Sequence, residues 1–380
     1  MTLPDLTFRG ARVLTPSGLA ERPLSIVGGR IGAEPAGPVV DLSGHLVLPG
    51  IVDIHGDGFE RHLAPRRGAL ESLAAGLASL DSELAANGIT TAVIAQFYSW
   101  EGGMRGPDFA EALAEALAAT TMRADTLLQL RLEIGMTGDF DRVEALVERF
   151  AIPYVVLNDH LPHAELAAGK RPPSLTGQAL KARRSPEVHW ALLQEMHDAW
   201  DAVPAALARL CTVLKARGVL IGSHDDHTPE DRARGRALGA TLSEFPETLA
   251  AAEAARAAGE GVIMGAPNLV RGASHAGKVA AGDLVAAGLV DALASDYHYP
   301  APARAAFRLE AGGMDVASAW ALVSEGPARL LGLTDRGRIA PGLRADLVIV
   351  EEESRRIAGT IADGAVSHLA GPLAARFLAA

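Results

Sequence analysis

Apolar and polar positions alternate with period two at both ends of the chain, and a different texture lies between them. Over residues 1–49 the runs are short and separated by glycine turns: Phe8-Arg-Gly-Ala-Arg-Val-Leu, Leu24-Ser-Ile-Val-Gly-Gly-Arg-Ile, Val39-Val-Asp-Leu and Leu46-Val-Leu. Such runs predict strands. The texture returns in Gly337-Arg-Ile-Ala-Pro-Gly-Leu-Arg-Ala-Asp-Leu-Val-Ile-Val and Ile357-Ala-Gly-Thr-Ile-Ala-Asp-Gly. The expectation is a small β-sandwich domain built from residues 1–49 plus 337–380, with a catalytic body, 50–336, inserted between its halves.

Within that body the pattern becomes strand, turn, helix, repeated. Buried-strand candidates are Gly50–Ile54, Thr90–Gln96, Leu127–Ile134, Tyr154–Asn158, Gly218–Gly222, Thr241–Phe245, Gly261–Gly265 and Ala292–Ser295. Eight such runs separated by Ala/Leu/Glu helices predict an α/β fold, a TIM (β/α)8 barrel. One helix is predicted over Leu70–Asn87, stopped by Gly88 at the position where glycine commonly ends a helix. Residues 161–217 are too long for a single connection. They read either as a lid or insertion near the mouth of a site or as a solvated loop with a crossover helix.

Barrel active sites lie at the C-terminal strand ends, and the unusual residues of this chain cluster there. His55 and Asp57 follow Pro49-Gly-Ile-Val-Asp-Ile. In a strand, residues i and i+2 share a face, so the two side chains point together, as metal ligands do, although a lone His-x-Asp is more often a solvated loop. His160 closes Val-Val-Leu-Asn-Asp, and His224 closes Leu-Ile-Gly-Ser. Either could be a capping side chain; two at successive strand ends are better explained as imidazole ligands to a metal such as zinc. Glu133 in Leu-Arg-Leu-Glu could bridge two cations, or be a barrel-interior carboxylate paired with Arg131. Asp296 follows Ala-Leu-Ala-Ser, where it either caps the next helix or serves as ligand and proton acceptor for a metal-bound water. The segment from Met264 to Lys278 reads as an anion cradle, with Arg271, Ser274, His275 and Lys278 as oxyanion-binding groups, or as a surface turn with solvated charges. No Walker, GxGxxG or GxSxG pattern occurs, so nucleotide-cradle and serine-hydrolase readings lack support.

Composition narrows the picture further. The chain has 380 residues, 49% hydrophobic but only 4% aromatic, and 35 Lys plus Arg against 46 Asp plus Glu, a net charge of −11. This balance argues against nucleic acid and anionic membranes as partners while leaving room for a small anionic substrate held by local cations. The single cysteine, Cys211, excludes an internal disulfide and reads as core packing. The first residues carry no apolar targeting segment, and no uncharged run reaches the roughly 18 residues of a membrane span. A cytoplasmic setting is expected; a homo-oligomer is compatible with the sequence.

Taken together, the chain resembles the amidohydrolase superfamily in its Pro-Gly-Ile-Val-Asp-Ile-His55 opening, Pro341-Gly-Leu-Arg-Ala-Asp-Leu-Val and Ser295-Asp296. Within it, the chain is most similar to the α-D-ribose 1-methylphosphonate 5-triphosphate diphosphatases of the carbon–phosphorus lyase pathway. The matching stretches include His55-Gly-Asp57 with Glu60-Arg-His62, Asn87-Gly-Ile-Thr-Thr, Leu-Arg-Leu-Glu133, Asn158-Asp-His160, Ser223-His-Asp-Asp226, Ser243-Glu-Phe-Pro246, Gly265-Ala-Pro-Asn-Leu-Val-Arg271-Gly-Ala-Ser-His275 and Ala294-Ser-Asp-Tyr297. The resemblance implies release of pyrophosphate from a phosphorylated sugar by a metal-activated water, with one or two divalent cations, zinc first and manganese or magnesium as alternatives. Two departures stand out: Gly56 and Gly58 flank Asp57 where the family pattern has Thr and Asn, and Lys278 stands where it has Asn. The segment Phe97–Arg105 also marks a divergent branch. Cyclic-amide hydrolysis or nucleobase deamination, more usual in the superfamily, is the competing expectation. A non-catalytic descendant would be expected to have lost ligands that this chain keeps.

Overall fold

The computed structural model describes residues 3–66, 72–272 and 277–379, and the chain divides into two compact units. The first comprises Met1–Ile94, Thr120–Leu127 and Gly261–Ala380, the second Ala95–Ala119 and Leu128–Glu260.

In the first unit the alternating termini form two sheets. One has four strands in the order Arg30–Ile31, Leu24–Val27, Leu6–Arg9, Val39–Asp41. The other has six, in the order Ala365–Leu369, Ile357–Ala362, Leu347–Glu351, His45–Pro49, Arg12–Thr15, Gly18–Glu21. The two ends of the chain meet where Leu347–Glu351 runs antiparallel to His45–Pro49, with Leu347 opposite Pro49. The inward set of each alternation, Phe8, Val13, Ile26, Val47, Leu347 and Ile349 among it, forms one buried cluster. That burial fixes the register, because a one-residue slip would turn every apolar side chain to the other face.

The body carries eight strands that lie in one sheet in chain order: β1 (Ile51–Gly56), β2 (Ile89–Tyr98), β3 (Asp125–Glu133), β4 (Tyr154–Asn158), β5 (Leu220–His224), β6 (Leu242–Glu244), β7 (Gly261–Gly265) and β8 (Ala292–Ala294). β1 pairs with β2, β3 with β4, β4 with β5, β5 with β6 and β7 with β8, each in parallel, and helices separate the strands, as the near-continuous apolar runs predict. Past the end of β8, a bridge from Asp296 to Gly56 brings the last strand back to the first. Helix 73–86 starts at the Ser72 cap, whose hydroxyl accepts from the Ala75 N–H, and stops before Gly88, whose φ of +76° only glycine adopts freely. Helix 229–238 is set by a Thr228/Asp231 capping box and Pro229.

Two expectations shift. Strands β1 and β5 run on to Gly56 and His224, past the expected ends at Ile54 and Gly222, so that His55 and His224 lie within their strands rather than beyond them. And residues 161–217 are largely helical, with helices 163–167, 175–181 and 186–198 preceding helix 203–216. The first three close over Trp100, Leu161 and Leu193 in an apolar cluster within the second unit. Cys211 is buried on helix 203–216, and burial pushes its thiol up to about 11, as suits a packing residue. Among the described residues no helix is long and apolar enough to cross a membrane.

Candidate metal centre

In the first unit, the end of β1 and the end of β8 are stitched together by their backbones. Asp296 N–H donates to His55 O at 2.9 Å, while Asp57 and Gly58 N–H donate to Asp296 O at 2.9 and 3.2 Å. Three expected ligands, His55, Asp57 and Asp296, are thereby held at one point. Underneath, Asp53 is fully buried and accepts from the Ser295 N–H at 2.8 Å and its hydroxyl at 2.5 Å. Burial raises its pKa, and the Ser295 bonds work against that shift. Asp296 has φ +54°, a left-handed conformation that costs little for Asp and aims its side chain away from a regular strand path.

In the second unit, the parallel register sets Glu133 beside Asn158 and His224 beside Glu244. Glu133 accepts from the Trp100 indole at 3.2 Å, the His160 backbone N–H at 3.1 Å and the His160 ring Nδ1 at 2.5 Å. Burial alone would lower the His160 pKa, but its bond to Glu133 and the charge of that carboxylate outweigh it and raise the value. His224 goes the other way: burial and then the Arg131 guanidinium lower it. Arg131 donates to His224 Nε2 at 3.0 Å and lies over the Phe97 ring, 3.9 Å from its centroid, with Arg105 over the same ring at 4.2 Å. A guanidinium only donates, so Nε2 accepts here. His224 Nδ1 lies 2.9 Å from Asp225 Oδ2.

Donor atoms of His160, His224 and Asp225 all lie within 4.8 Å of one another. Two imidazoles and a carboxylate suit a borderline divalent cation, so the donor chemistry fits one. Asp225, at φ +58°, is a member that its surrounding sequence does not advertise. Glu244 is a further carboxylate that sequence reasoning passed over. It is fully buried in β6 and accepts from Tyr154 Oη at 2.7 Å and Gln129 Nε2 at 2.8 Å.

The expected anion cradle takes another form. Residues 266–271 are a short helix that begins directly after β7, with Pro267 in its first turn and Gly272 at φ +75° ending it. Arg271 is therefore the last helical residue rather than part of an open loop, and both it and Lys278 are exposed. Ser274 and His275 lie outside the described residues.

The amidohydrolase family is matched over residues 46–366 of the chain. An Escherichia coli K12 protein, alpha-D-ribose 1-methylphosphonate 5-triphosphate diphosphatase, is 32% identical over 335 residues, 84% of this chain and 86% of its own length. Among solved structures, the Fervidobacterium islandicum AW-1 beta-aspartyl dipeptidase superposes with TM-score 0.64 at 15% identity, covering 96% of this chain and 97% of that one. The Pasteurella multocida N-acetylglucosamine-6-phosphate deacetylase gives 0.62 at 12%, covering 95% and 99%. At such identities the structural likeness speaks to the fold alone.

Proposed function

The chain belongs to the amidohydrolase family, and from that premise we propose that this hydrolase is a divalent-metal enzyme that cleaves a phosphoanhydride bond, releasing pyrophosphate from a phosphorylated sugar such as α-D-ribose 1-methylphosphonate 5-triphosphate. The observation that carries the choice of bond is the 32% identity, over most of both chains, to a relative named for that reaction.

His55, Asp57, Glu133, His160, His224 and Asp296 are the proposed ligands; for His160 and His224 the support is that their donor atoms lie together in the second unit. A bound zinc, manganese or magnesium ion supplies a water acidic enough to lose its proton near neutral pH. Asp296 would accept that proton, its backbone fixed by the hydrogen bonds of its own N–H and C=O. Glu133 also accepts from the His160 ring Nδ1, which leaves Nε2 of that ring for the ion. Arg271 and Lys278, with Ser274 and His275, hold the substrate oxyanions. Their charge has little use around a neutral amide or nucleobase.

The test is pyrophosphate release by metal-loaded protein from a 5-triphosphorylated ribose, run beside a β-aspartyl dipeptide and a dihydropyrimidine. Turnover of the first alone, abolished by a chelator and restored by metal, is expected. Asp296→Asn should lower kcat by roughly 10²–10⁴, the range of a general base, with unchanged circular dichroism. Turnover of only the neutral amides would transfer the assignment to C–N bond hydrolysis.

A further inference from the structure

A cleft of about 660 Å³ opens from His160 and His224 within the second unit. One wall is apolar: Trp200 from the helical insertion, then Pro204 and Leu207 from the helix that leads to β5. The lining also includes acidic groups, Asp159 and Asp225, each next in sequence to one of the two histidines. Among the lining residues Arg234 is the one guanidinium, and it pairs with Asp231, also on the rim.

This arrangement is wrong for a polyphosphate. Oxyanions brought against Asp159 would meet like charge, and Arg234 already has a carboxylate partner. It is right for a neutral ring that carries hydroxyl groups. Carboxylates accept hydroxyl hydrogen bonds, and an aromatic or aliphatic wall takes the C–H face of such a ring. The volume falls within the range of roughly 300–1,000 Å³ usual for small-molecule sites, ample for a pentose with a substituent.

Trp200 is also built to serve as a fixed wall. Its ring meets His163 edge-on with centroids 4.1 Å apart, and a Cβ on Gly135 would come within 3.1 Å of it, so the indole has little freedom. Asp159 is oriented as well, accepting from the Leu161 N–H at 3.2 Å and lying 3.3 Å from His163 Nε2. The insertion thus brings Trp200 into the cleft lining and, through the same His163, fixes the Asp159 carboxylate beside it.

We infer that this cleft is the subsite for the uncharged, hydroxyl-bearing sugar ring of the substrate, with Trp200 as its apolar platform and Asp159 as its hydroxyl acceptor. The inference rests on the phosphoanhydride reading for the identity of the substrate, but its test separates the two.

Metal-loaded wild type, Trp200→Ala, Trp200→Phe and Asp159→Asn are compared on ribose 5-triphosphate and on inorganic tripolyphosphate, which has no sugar. Trp200→Ala and Asp159→Asn should raise KM for the sugar substrate about five-fold or more, with kcat little changed, while tripolyphosphate kinetics stay as in wild type. Trp200→Phe should recover most of the loss. An equal change on both substrates, or none on the sugar substrate, overturns the subsite. If neither compound is hydrolysed, the phosphoanhydride reading has failed, and the subsite is decided by saturation-transfer NMR with D-ribose 5-phosphate. Ring-proton transfer in wild type that is lost in Trp200→Ala and Asp159→Asn supports it. No transfer in wild type overturns it. Because Trp200 packs beside the insertion's apolar cluster, thermal unfolding of each variant is measured alongside, and Asp159→Asn, which removes no packing volume, carries the test if Trp200→Ala does not fold.

Discussion

Gly56 shows how one missing side chain can record its surroundings. A Cβ built there would lie 2.7 Å from Asp53 Oδ2, 2.8 Å from Tyr299 Cε1 and 3.0 Å from Ser295 Oγ. None of these is a loose end: Asp53, Tyr299 and Ser295 are buried, and Asp53 is fixed by both Ser295 bonds. A threonine at this position could not share the space with Tyr299. Gly56→Ala should therefore destabilise the protein. Overpacking costs about 1–3 kcal/mol, and the entropy removed from the unfolded chain returns only about 0.4–1 kcal/mol. A urea midpoint for Gly56→Ala equal to that of wild type would refute the steric account. Residues such as Asp53 and Asp225 were not legible in the sequence for a related reason. Their roles come from partners over two hundred residues away or from a left-handed φ, and neither leaves a local pattern.

At the scale of elements, the reading succeeded where periodicity is long and bounded. Strands β4 and β7 span the same residues as expected, because a run such as Tyr154–Asn158 is flanked by a proline on one side and polar residues on the other. Helix 229–238 is the opposite case. Its Glu-Asp-Arg-Ala-Arg-Gly-Arg sequence looks like a solvated helix, yet Arg232 is wholly buried and ties the loop after β5 to the approach to β7. It reaches Asp226 at 3.1 Å and Glu260 at 2.5 Å, and donates to the Ser223 hydroxyl as well. Asp226 in turn accepts from Ser223 and Ser243 at 2.6 and 2.7 Å. Periodicity reports which residues are apolar, and so cannot reveal a buried charge whose partners come from other elements. Arg232→Ala strands two buried carboxylates, and breaking such a network from one side costs about 3–5 kcal/mol. Asp226 keeps its serines and Glu260 keeps Arg236 at 2.6 Å, so the loss belongs at the lower end of that range. Denaturant unfolding measures it, and a loss below about 1 kcal/mol would mean that the retained partners suffice.

For the whole molecule, the order of the barrel strands along the chain was legible because each is a bounded apolar run separated from the next by a helical pattern. The helical insertion and the short helix after β7 were less so, since both are decided by packing and by caps rather than by a repeating pattern. The proposed metal links these scales, because ligands drawn from many elements bind a cation only when those elements are folded. Metal should therefore stabilise the native state by mass action, by about 2.7 kcal/mol when free metal is a hundred times its dissociation constant. Stripping with a chelator should lower the unfolding temperature measurably, re-addition should restore it in a saturable way, and elemental analysis of the purified protein should find a divalent ion. His224→Ala removes one of the proposed imidazole ligands, one that touches Arg131 as well as Asp225, so it should abolish the metal-dependent part of the shift. Calorimetry on stripped and reloaded protein, with and without that substitution, decides the matter. Identical unfolding in all four samples, with no bound ion detected, would leave the imidazoles and carboxylates as a structural hydrogen-bond network and remove the basis for metal-assisted hydrolysis.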